Sequence, residues 1–287
     1  MTVGRSVLDP DDPVATSAAS TLALEGAWDA YVLDGPDAFL DSWLPRLPTE
    51  ALRVAFRMHG PGRRGLEDVA VTPSPGATRE ELAGERLLAR GRDFLFVRPS
   101  LFAGADGERG GVLVTMGGAD PSDATTLACE ALEPLAGEHP VTVVVGALNP
   151  RFEDVASRFG HGMRVLRQGE VDFDEELKRA AVAVINGGLT RYECVAARTP
   201  FVALSLDEGQ AAYTEAVVAS GFGRHASLLS STSPRMILVA VEELLAQPAK
   251  RREMAARATD LVRPDAADLF ARTLVRWFTS IAPRRRP

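Results

Sequence analysis

The feature that most constrains the fold is an alternation of short apolar runs and longer amphipathic segments after residue 110. The apolar runs are GVLVTMGG, VTVVVG, MRVLRQ, VAVIN and FVALSL, and helix-like segments such as RFEDVASRFG and DFDEELKRA lie between them. Continuous apolar runs are typical of strands buried on both faces of a parallel sheet. Because crossover helices must cover those faces, the pattern predicts an α/β fold with a doubly wound, Rossmann-like parallel sheet.

The earlier part of the chain shows a weaker version of the same pattern. The runs AYVLD, LRVAF and DVAVT are predicted strands of a smaller α/β unit, TREELAGERLLARG is a predicted helix, and ATSAASTLALEGA could form a short helix. In FLFVRPSLF, Arg98 precedes Pro99 and is expected to be extended. The Gly-rich AGADGERGG indicates a linker. We therefore expect two domains, a small α/β domain over residues 1–105 and the parallel-sheet domain over 106–287.

Composition excludes several classes of function. The net charge of −7 over 287 residues argues against nucleic acid as a partner, because phosphate backbones are bound through clustered Lys and Arg. No run approaches the roughly 18 apolar residues that span a bilayer, and the first residues lack the apolar centre of a signal peptide, so we expect a cytoplasmic protein without a membrane span. Cys129 and Cys194 stand alone in apolar helical contexts and are expected in the core. No spacing of His, Cys and carboxylates predicts a metal site.

The first candidate site is the loop VTMGGADPSDA, in which Gly117 and Gly118 follow a predicted strand. Paired glycines let a backbone approach a ligand and leave N–H groups free to meet an anion. The alternative is a tight strand-to-helix turn in which Asp120, Ser122 or Asp123 caps the helix. The residues alone leave both interpretations open.

The second candidate site is the segment VAVINGGLTRYECVAAR. Here the backbone of Gly187 and Gly188 and the side chain of Thr190 could hold a diphosphate, while Glu193 accepts hydrogen bonds from ribose hydroxyls. The alternative is structural, because Thr190 and Glu193 have the spacing of a capping box. An Asn-Gly-Gly strand end inside a parallel sheet, where no hairpin is expected, favours the functional interpretation. The candidate residues are Asn186, Gly187, Gly188, Leu189, Thr190 and Glu193.

The third candidate site is the segment FVALSLDEGQAAYTEAV, where Asp207, Glu208 and Gln210 fall between a strand and a helix. Their side chains could bind sugar hydroxyls, or Asp207 could cap the helix. Ligands of doubly wound sheets bind at the carboxyl ends of the strands. The three loops are therefore expected to converge in space.

These loops, in this order, resemble the carboxy-terminal half of the glycosyltransferase B superfamily. More narrowly, LVTMGGADPSDATTLACEAL, INGGLTRYECVAARTPFVAL and DEGQ resemble the pseudaminic acid pathway hydrolase family, which cleaves UDP from a diacetamido-trideoxyhexose. The peptidoglycan N-acetylglucosaminyltransferase is a more distant likeness. The resemblance covers roughly residues 28 to 275 and includes FLFVRPSLF, which is similar to the family's interdomain segment.

The resemblance implies a glycosyltransferase B-type fold and a nucleotide sugar, most simply UDP-linked, as the ligand. Gly117 and Gly118 would lie near the diphosphate or the sugar, and Gly188, Leu189 and Thr190 would hold the diphosphate. Glu193 would bind the ribose and Gln210 the sugar side of the donor. The implied activity is hydrolysis or glycosyl transfer in glycan or secondary-metabolite biosynthesis, with no cofactor.

The sequence also departs from the resemblance. No Gly-rich loop with a His precedes Trp28, so the amino-terminal domain is expected to be shortened and without the family's catalytic base. Met58 and His59 stand where the family tends to carry an Asp pair. His59 is a candidate replacement base, because an imidazole accepts a proton near neutral pH, although a surface-loop role is the alternative. A second functional hypothesis follows: a non-catalytic nucleotide-sugar-binding homologue, or an auxiliary subunit that needs a protein partner or a second copy.

Overall fold

The computed structural model describes residues 28–35, 37–57, 66–104 and 108–281. Packing divides the described residues into unit 1, which comprises those from Trp28 to Phe94 and from Ala266 to Ile281, and unit 2, which comprises those from Leu95 to Asp265. This division differs from the expected segments 1–105 and 106–287, chiefly because the last helix packs with unit 1. The possible helix in ATSAASTLALEGA lies outside the described residues.

Unit 1 contains a five-stranded sheet in the order β1–β2–β3–β5–β4. The neighbouring strands are parallel except for β4, which is antiparallel to β5. The three predicted strands of this part are present, and the sheet consists of β1 (Ala30–Asp34), β2 (Leu52–Phe56), β3 (Val69–Pro73), β4 (Arg79–Ala83) and β5 (Arg86–Gly91). Helix α1 (Asp37–Trp43) buries Leu40 and Trp43.

The helix predicted over TREELAGERLLARG is wrong, because this segment forms the hairpin β4–β5. Gly84 occupies the turn with a φ of +67°, a conformation that glycine adopts without steric cost. Leu82 on the edge strand β4 is 68% exposed, whereas Ala89 on β5 is buried. Pairing of β5 with β3 overrides the local helical pattern, since it completes the sheet and buries one face of β5.

The last helix, α9 (Ala266–Ile281), completes the core of unit 1. The ring of Phe270 lies 5.4 Å from that of Phe56, and the ring of Trp277 lies 5.9 Å from that of Phe94. Trp277 is 1% exposed. An amphipathic helix with a large aromatic face is stabilised by covering a sheet, and the sheet of unit 1 supplies that surface.

Unit 2 contains a six-stranded, fully parallel sheet in the order β8–β7–β6–β9–β10–β11. Its strands are β6 (Gly110–Thr115), β7 (Val141–Val145), β8 (Arg164–Arg167), β9 (Ala180–Asn186), β10 (Phe201–Ser205) and β11 (Arg224–Leu228). Its helices are α2 (Ala124–Leu132), α3 (Phe152–Phe159), α4 (Phe173–Arg179), α5 (Thr190–Ala196), α6 (Glu208–Ala219), α7 (Pro234–Leu245) and α8 (Pro248–Arg257).

The strand order of unit 2 is that of the doubly wound nucleotide-binding sheet. The chain builds outward from β6 to β8 and then crosses back to place β9 beside β6. Strands β6, β9 and β10 are almost wholly buried, as their continuous apolar runs predict. The predicted α/β class with a doubly wound parallel sheet is confirmed. No helix within the described ranges is long and apolar enough to cross a membrane.

Candidate functional site

The topological switch point of unit 2 lies between β6 and β9, where the chain reverses the direction in which strands are added. Thr115, the last residue of β6, pairs with Ile185, so the carboxyl ends of the two strands lie side by side. The side chain of Asn186 spans the gap, because its Nδ2 donates to the carbonyl oxygen of Met116 at 2.9 Å. Its Oδ1 accepts from the backbone N–H of Gly188 at 3.3 Å. Asn186 thus ties the first two candidate loops together.

The Gly117–Gly118 loop is shaped by a third strand end. Gly117 has a φ of +80°, a region that favours glycine. A Cβ atom on Gly146, which follows β7, would lie 2.1 Å from the carbonyl oxygen of Gly117 and 2.2 Å from that of Gly118. A Cβ on Gly118 would meet no atom within 4 Å. The loop is therefore packed closely against Gly146 on one side and faces open space at Gly118.

Gly187 brings the third loop into the same place. A Cβ there would lie 2.8 Å from Ser205 Oγ, 3.0 Å from Thr214 Oγ1 and 3.2 Å from Gln210 Cβ. Ser205 ends β10, and Gln210 and Thr214 belong to α6. The three predicted loops are thus in contact at the carboxyl edge of the sheet, and only glycine fits where they meet.

A buried arginine supports the Gly187–Gly188 turn, and the sequence analysis did not identify it. Arg191 is 1% exposed, and its Nη1 donates to the carbonyl oxygens of Gly187 and Gly188. The guanidinium lies over the rings of Tyr192 and Tyr213, at 4.5 and 5.4 Å from their centroids. These contacts fix both carbonyl groups inward, toward Arg191. An arginine three and four residues after the two glycines is the sequence feature that could have indicated this role.

Several candidate polar residues act as helix caps. The Asp120 carboxylate accepts from the backbone N–H groups of Ala124 and Thr125 at 2.9 and 2.8 Å, which confirms Asp120 as a cap of α2. Asp207 caps α6 by accepting from the N–H of Gln210 at 2.8 Å. In turn, Gln210 Oε1 accepts from the N–H of Leu206 at 3.1 Å. The structural alternative therefore applies to Asp120 and Asp207, while Gln210 keeps its amide nitrogen for another partner.

The capping box that was the structural alternative for Thr190 and Glu193 does not form. Thr190 is the first residue of α5, and Leu189 precedes it as the N-cap without a side-chain cap bond. Thr190 and Glu193 are three residues apart on the helix and share a face. The Glu193 carboxylate instead pairs with Arg98, whose Nη1 lies 2.9 Å from Glu193 Oε1. Glu193 is therefore held by a segment distant in sequence.

Arg98 bridges two acidic residues of unit 2. Its Nε and Nη2 donate to Asp174 Oδ1 at 2.9 and 2.6 Å, and Ser100 Oγ donates to Asp174 Oδ2. Burial raises the pKa of Asp174, but the hydrogen bonds from Arg98 and Ser100 outweigh it and hold the pKa below its usual value. Arg98 has a φ of −56° and a ψ of 129°, the extended conformation predicted for a residue before proline.

The remaining candidates lie apart from these contacts or outside the described residues. Leu189 is 64% exposed beside the Gly187–Gly188 turn, and Glu208 is exposed at the start of α6. His59 lies outside the described residues, so its role as a base stays a prediction. Cys129 and Cys194 are buried in the core, and burial raises the pKa of the Cys129 thiol to about 12. Among the described residues no group of three or more His, Cys, Asp or Glu side chains could hold a metal ion.

Neither a scan against protein-family models nor a search of the curated proteins finds a match. Solved structures do match. Acinetobacter baumannii MurG is 16% identical, with a TM-score of 0.62 over 92% of this chain and 79% of that chain. UDP-GlcNAc 2-epimerase from Neisseria meningitidis, bound to UDP-GlcNAc, is 13% identical, with a TM-score of 0.60 over 94% and 84%.

A third structure is the spinosyn rhamnosyltransferase SpnG complexed with thymidine diphosphate, which is 16% identical with a TM-score of 0.58 over 90% of this chain and 76% of that chain. The chain has a glycosyltransferase B-type fold. This confirms the fold that the resemblance implied. TM-scores of this size at such low identity establish the architecture alone.

Proposed function

We propose that the chain is a nucleotide-sugar-dependent enzyme of glycosyl transfer that binds a nucleoside diphosphate sugar, UDP-linked, at the switch point of unit 2. The contact among three glycine-containing loops at the carboxyl edge of the sheet carries this proposal. Asn186 joins two of the loops, and Gly187 packs on the third. The structural neighbours, which include complexes with UDP-GlcNAc and thymidine diphosphate, support the same ligand class.

The proposed site assigns each ligand group to residues of suitable chemistry. The backbone N–H groups of Gly118 and Leu189 suit the diphosphate, because the adjacent glycines admit close approach, whereas the N–H of Gly188 is already bonded to Asn186. Arg191 holds the carbonyl groups of Gly187 and Gly188 on the opposite side. Glu193 shares a helix face with Thr190 and suits the ribose hydroxyls. The amide nitrogen of Gln210, which has no partner among the described residues, suits the sugar. Stabilising the departing diphosphate is the chemical role of such a site.

Hydrolysis is the finer form of the proposal. It is supported by the resemblance of the loops around Gly117, Gly188 and Gln210 to the pseudaminic acid pathway hydrolase family. Incubation with a UDP-sugar and no acceptor distinguishes the two reactions, because a hydrolase releases UDP from the donor alone and a transferase waits for an acceptor. Release of UDP at a rate that falls in His59→Ala would support His59 as the base.

Calorimetric titration with UDP, CMP, GDP and dTDP tests the binding proposal. We expect UDP to bind, and Glu193→Ala to weaken binding about tenfold or more, the size expected for losing a hydrogen bond to a charged group. Glu176→Ala is the matched control, since Glu176 is 14% exposed, pairs with Arg164 and belongs to α4. Absence of binding by all four nucleotides at millimolar concentration would contradict the proposal.

A further inference from the structure

Arg98 connects the carboxylate of Glu193, which is proposed to bind the ribose, to Asp174 at the start of α4. It precedes the short helical turn Pro99–Phe102 and reaches both α4 and α5. Its Nε and Nη2 are occupied by Asp174, and Ser100 binds the other oxygen of Asp174. Only Nη1 is left for Glu193. Asp174 therefore sets the orientation of the guanidinium plane independently of Glu193.

The Glu193 carboxylate is engaged on one side only. Its Oε1 lies 2.9 Å from Arg98 Nη1, and within the described parts of the chain Oε2 has no hydrogen-bond partner. Glu193 is 19% exposed, so the carboxylate is mostly enclosed and still reachable from solvent. An ionised carboxylate has about four acceptor positions, and a single ion pair leaves most of them available.

We propose that Arg98 is a positioning residue for ribose recognition, which holds Glu193 by Oε1 so that Oε2 accepts hydrogen bonds from the ribose hydroxyls. This inference rests on the proposed function. A glutamate side chain on a helix surface samples several rotamers, and ordering it on binding costs affinity. An arginine fixed by a second carboxylate removes that cost before the ligand arrives. Arg98 does not itself contact the ligand in this arrangement.

Unit 2 also contains an Arg–Glu ion pair of similar exposure that lies away from the candidate site. Arg164 is 55% exposed and its Nη1 lies 2.8 Å from both carboxylate oxygens of Glu176, which is 14% exposed. Arg98 is 51% exposed and Glu193 19%. Arg164 begins β8 at the amino edge of the sheet, opposite the loops of the candidate site. Arg164→Met therefore controls for the loss of a half-exposed ion pair.

The test compares UDP with 2′,3′-dideoxy-UDP by calorimetry, because the two differ only in the ribose hydroxyls. We expect the wild type to bind UDP about tenfold or more tightly than the dideoxy analogue. Arg98→Met should reduce this ratio at least threefold, as an order-of-magnitude expectation. Arg164→Met should leave the ratio of the two affinities unchanged, and Glu193→Ala should bring it close to one. Adding Arg98→Met to Glu193→Ala should change the ratio no further, since the two residues act through one contact.

The outcomes separate this inference from the proposed function. A wild type that binds neither nucleotide overturns the proposed function. A wild type that binds UDP selectively, with the same ratio in Arg98→Met, overturns the role of Arg98 and leaves the proposed function standing. If Arg98→Met fails to fold, Arg98→Lys replaces it: lysine keeps the charge but loses the two-sided geometry, so an intermediate ratio supports the inference and a wild-type ratio overturns it.

Discussion

The two units differ at the same topological place, the carboxyl edge of a parallel sheet. In unit 1 this edge holds a buried charge network. Arg57, which follows β2 and is fully buried, donates to Asp37, Asp41 and Glu67 at 3.0, 2.8 and 2.9 Å. In unit 2 the corresponding edge is formed by glycines and the amide of Asn186. Charged side chains fill the edge of unit 1, whereas the glycine loops of unit 2 leave open space at Gly118.

The physical cost of the two designs also differs. Burial lowers the pKa of Arg57, but its hydrogen bonds to Glu67, Asp41 and Asp37 outweigh burial and raise the pKa overall. Such a network is stable only while every partner remains. At the edge of unit 2, Arg191 is buried beneath the Gly187–Gly188 turn and Glu193 pairs with the half-exposed Arg98, so the charged groups leave the glycine surface at Gly118 open for a ligand. Changes to unit 1 should therefore affect stability, and changes to unit 2 should affect binding.

The largest expected effect is in unit 1. Arg57→Met should lower the free energy of unfolding by about 3–5 kcal/mol, because it removes one of the two arginines paired with the buried Glu67 carboxylate and breaks a buried charge network. All three tryptophans, at positions 28, 43 and 277, belong to unit 1. Urea unfolding followed by tryptophan fluorescence therefore reports on this unit.

UDP titration of the same variant tests whether the comparison holds. The folded fraction of Arg57→Met should bind UDP with the wild-type dissociation constant. Arg90→Met is the control, since Arg90 pairs with Glu81 at 2.8 Å and both side chains are at least half exposed; its loss should cost about 0.5 kcal/mol or less. A stable Arg57→Met protein that fails to bind UDP would break the division of roles between the two edges.

The fold of unit 2 could be predicted from the sequence because its strands are buried on both faces and read as uninterrupted apolar runs. The hairpin of unit 1 could not, since its segment TREELAGERLLARG is rich in Glu, Leu, Ala and Arg, which favour helices. Only the pairing of β5 with β3 decides between a helix and a strand. The position of α9 could not be predicted either. Its aromatic face predicts burial but does not indicate which sheet it covers, because the contact between Phe56 and Phe270 joins residues that are far apart in sequence.

A smaller effect is expected from the open edge of unit 2. Gly118→Ala should leave stability within about 0.5 kcal/mol, because the added methyl group meets no atom and the backbone is outside the left-handed region. The same methyl group would occupy the space proposed for the ligand, and UDP binding should weaken about tenfold, or roughly 1.4 kcal/mol. Calorimetry and thermal unfolding measure the two quantities separately.

Gly137→Ala is the matched control for this prediction. Gly137 also has open space around it and an unremarkable φ, and it lies in the exposed segment between α2 and β7. It should change neither stability nor UDP affinity. Unaltered UDP affinity in Gly118→Ala would mean that the ligand does not occupy this side of the loop, and the functional comparison between the two edges would fail.

The candidate site was predictable only in part. Glycine pairs at strand ends are visible in a sequence, and so is the acidic residue on the following helix. The supporting contacts are not: Gly146 presses on the Gly117–Gly118 loop from another strand end, Arg191 holds two carbonyl groups from below, and Arg98 reaches Glu193 across 95 positions of sequence. Each depends on side chains brought together by the sheet order. Local propensity carries no information about them.

The smallest expected effect concerns the acid stability of unit 2. It compares the half-exposed Arg98–Asp174 pair with the buried Arg57 network of unit 1. Because the pKa of Asp174 is lowered in the folded state, its pairing with Arg98 contributes stability above the unfolded-state pKa near 3.9 and loses it as the pH falls through the folded value. Arg98 is half exposed, so the contribution should be about 1 kcal/mol or less.

Urea unfolding followed by circular dichroism should show Arg98→Met less stable than the wild type at pH 7. The gap should close below about pH 4, where Asp174 becomes protonated in the unfolded chain and then in the folded one. A gap that persists unchanged at pH 2 would mean that Arg98 stabilises unit 2 through packing, for example over the ring of Phe173, rather than through its charge.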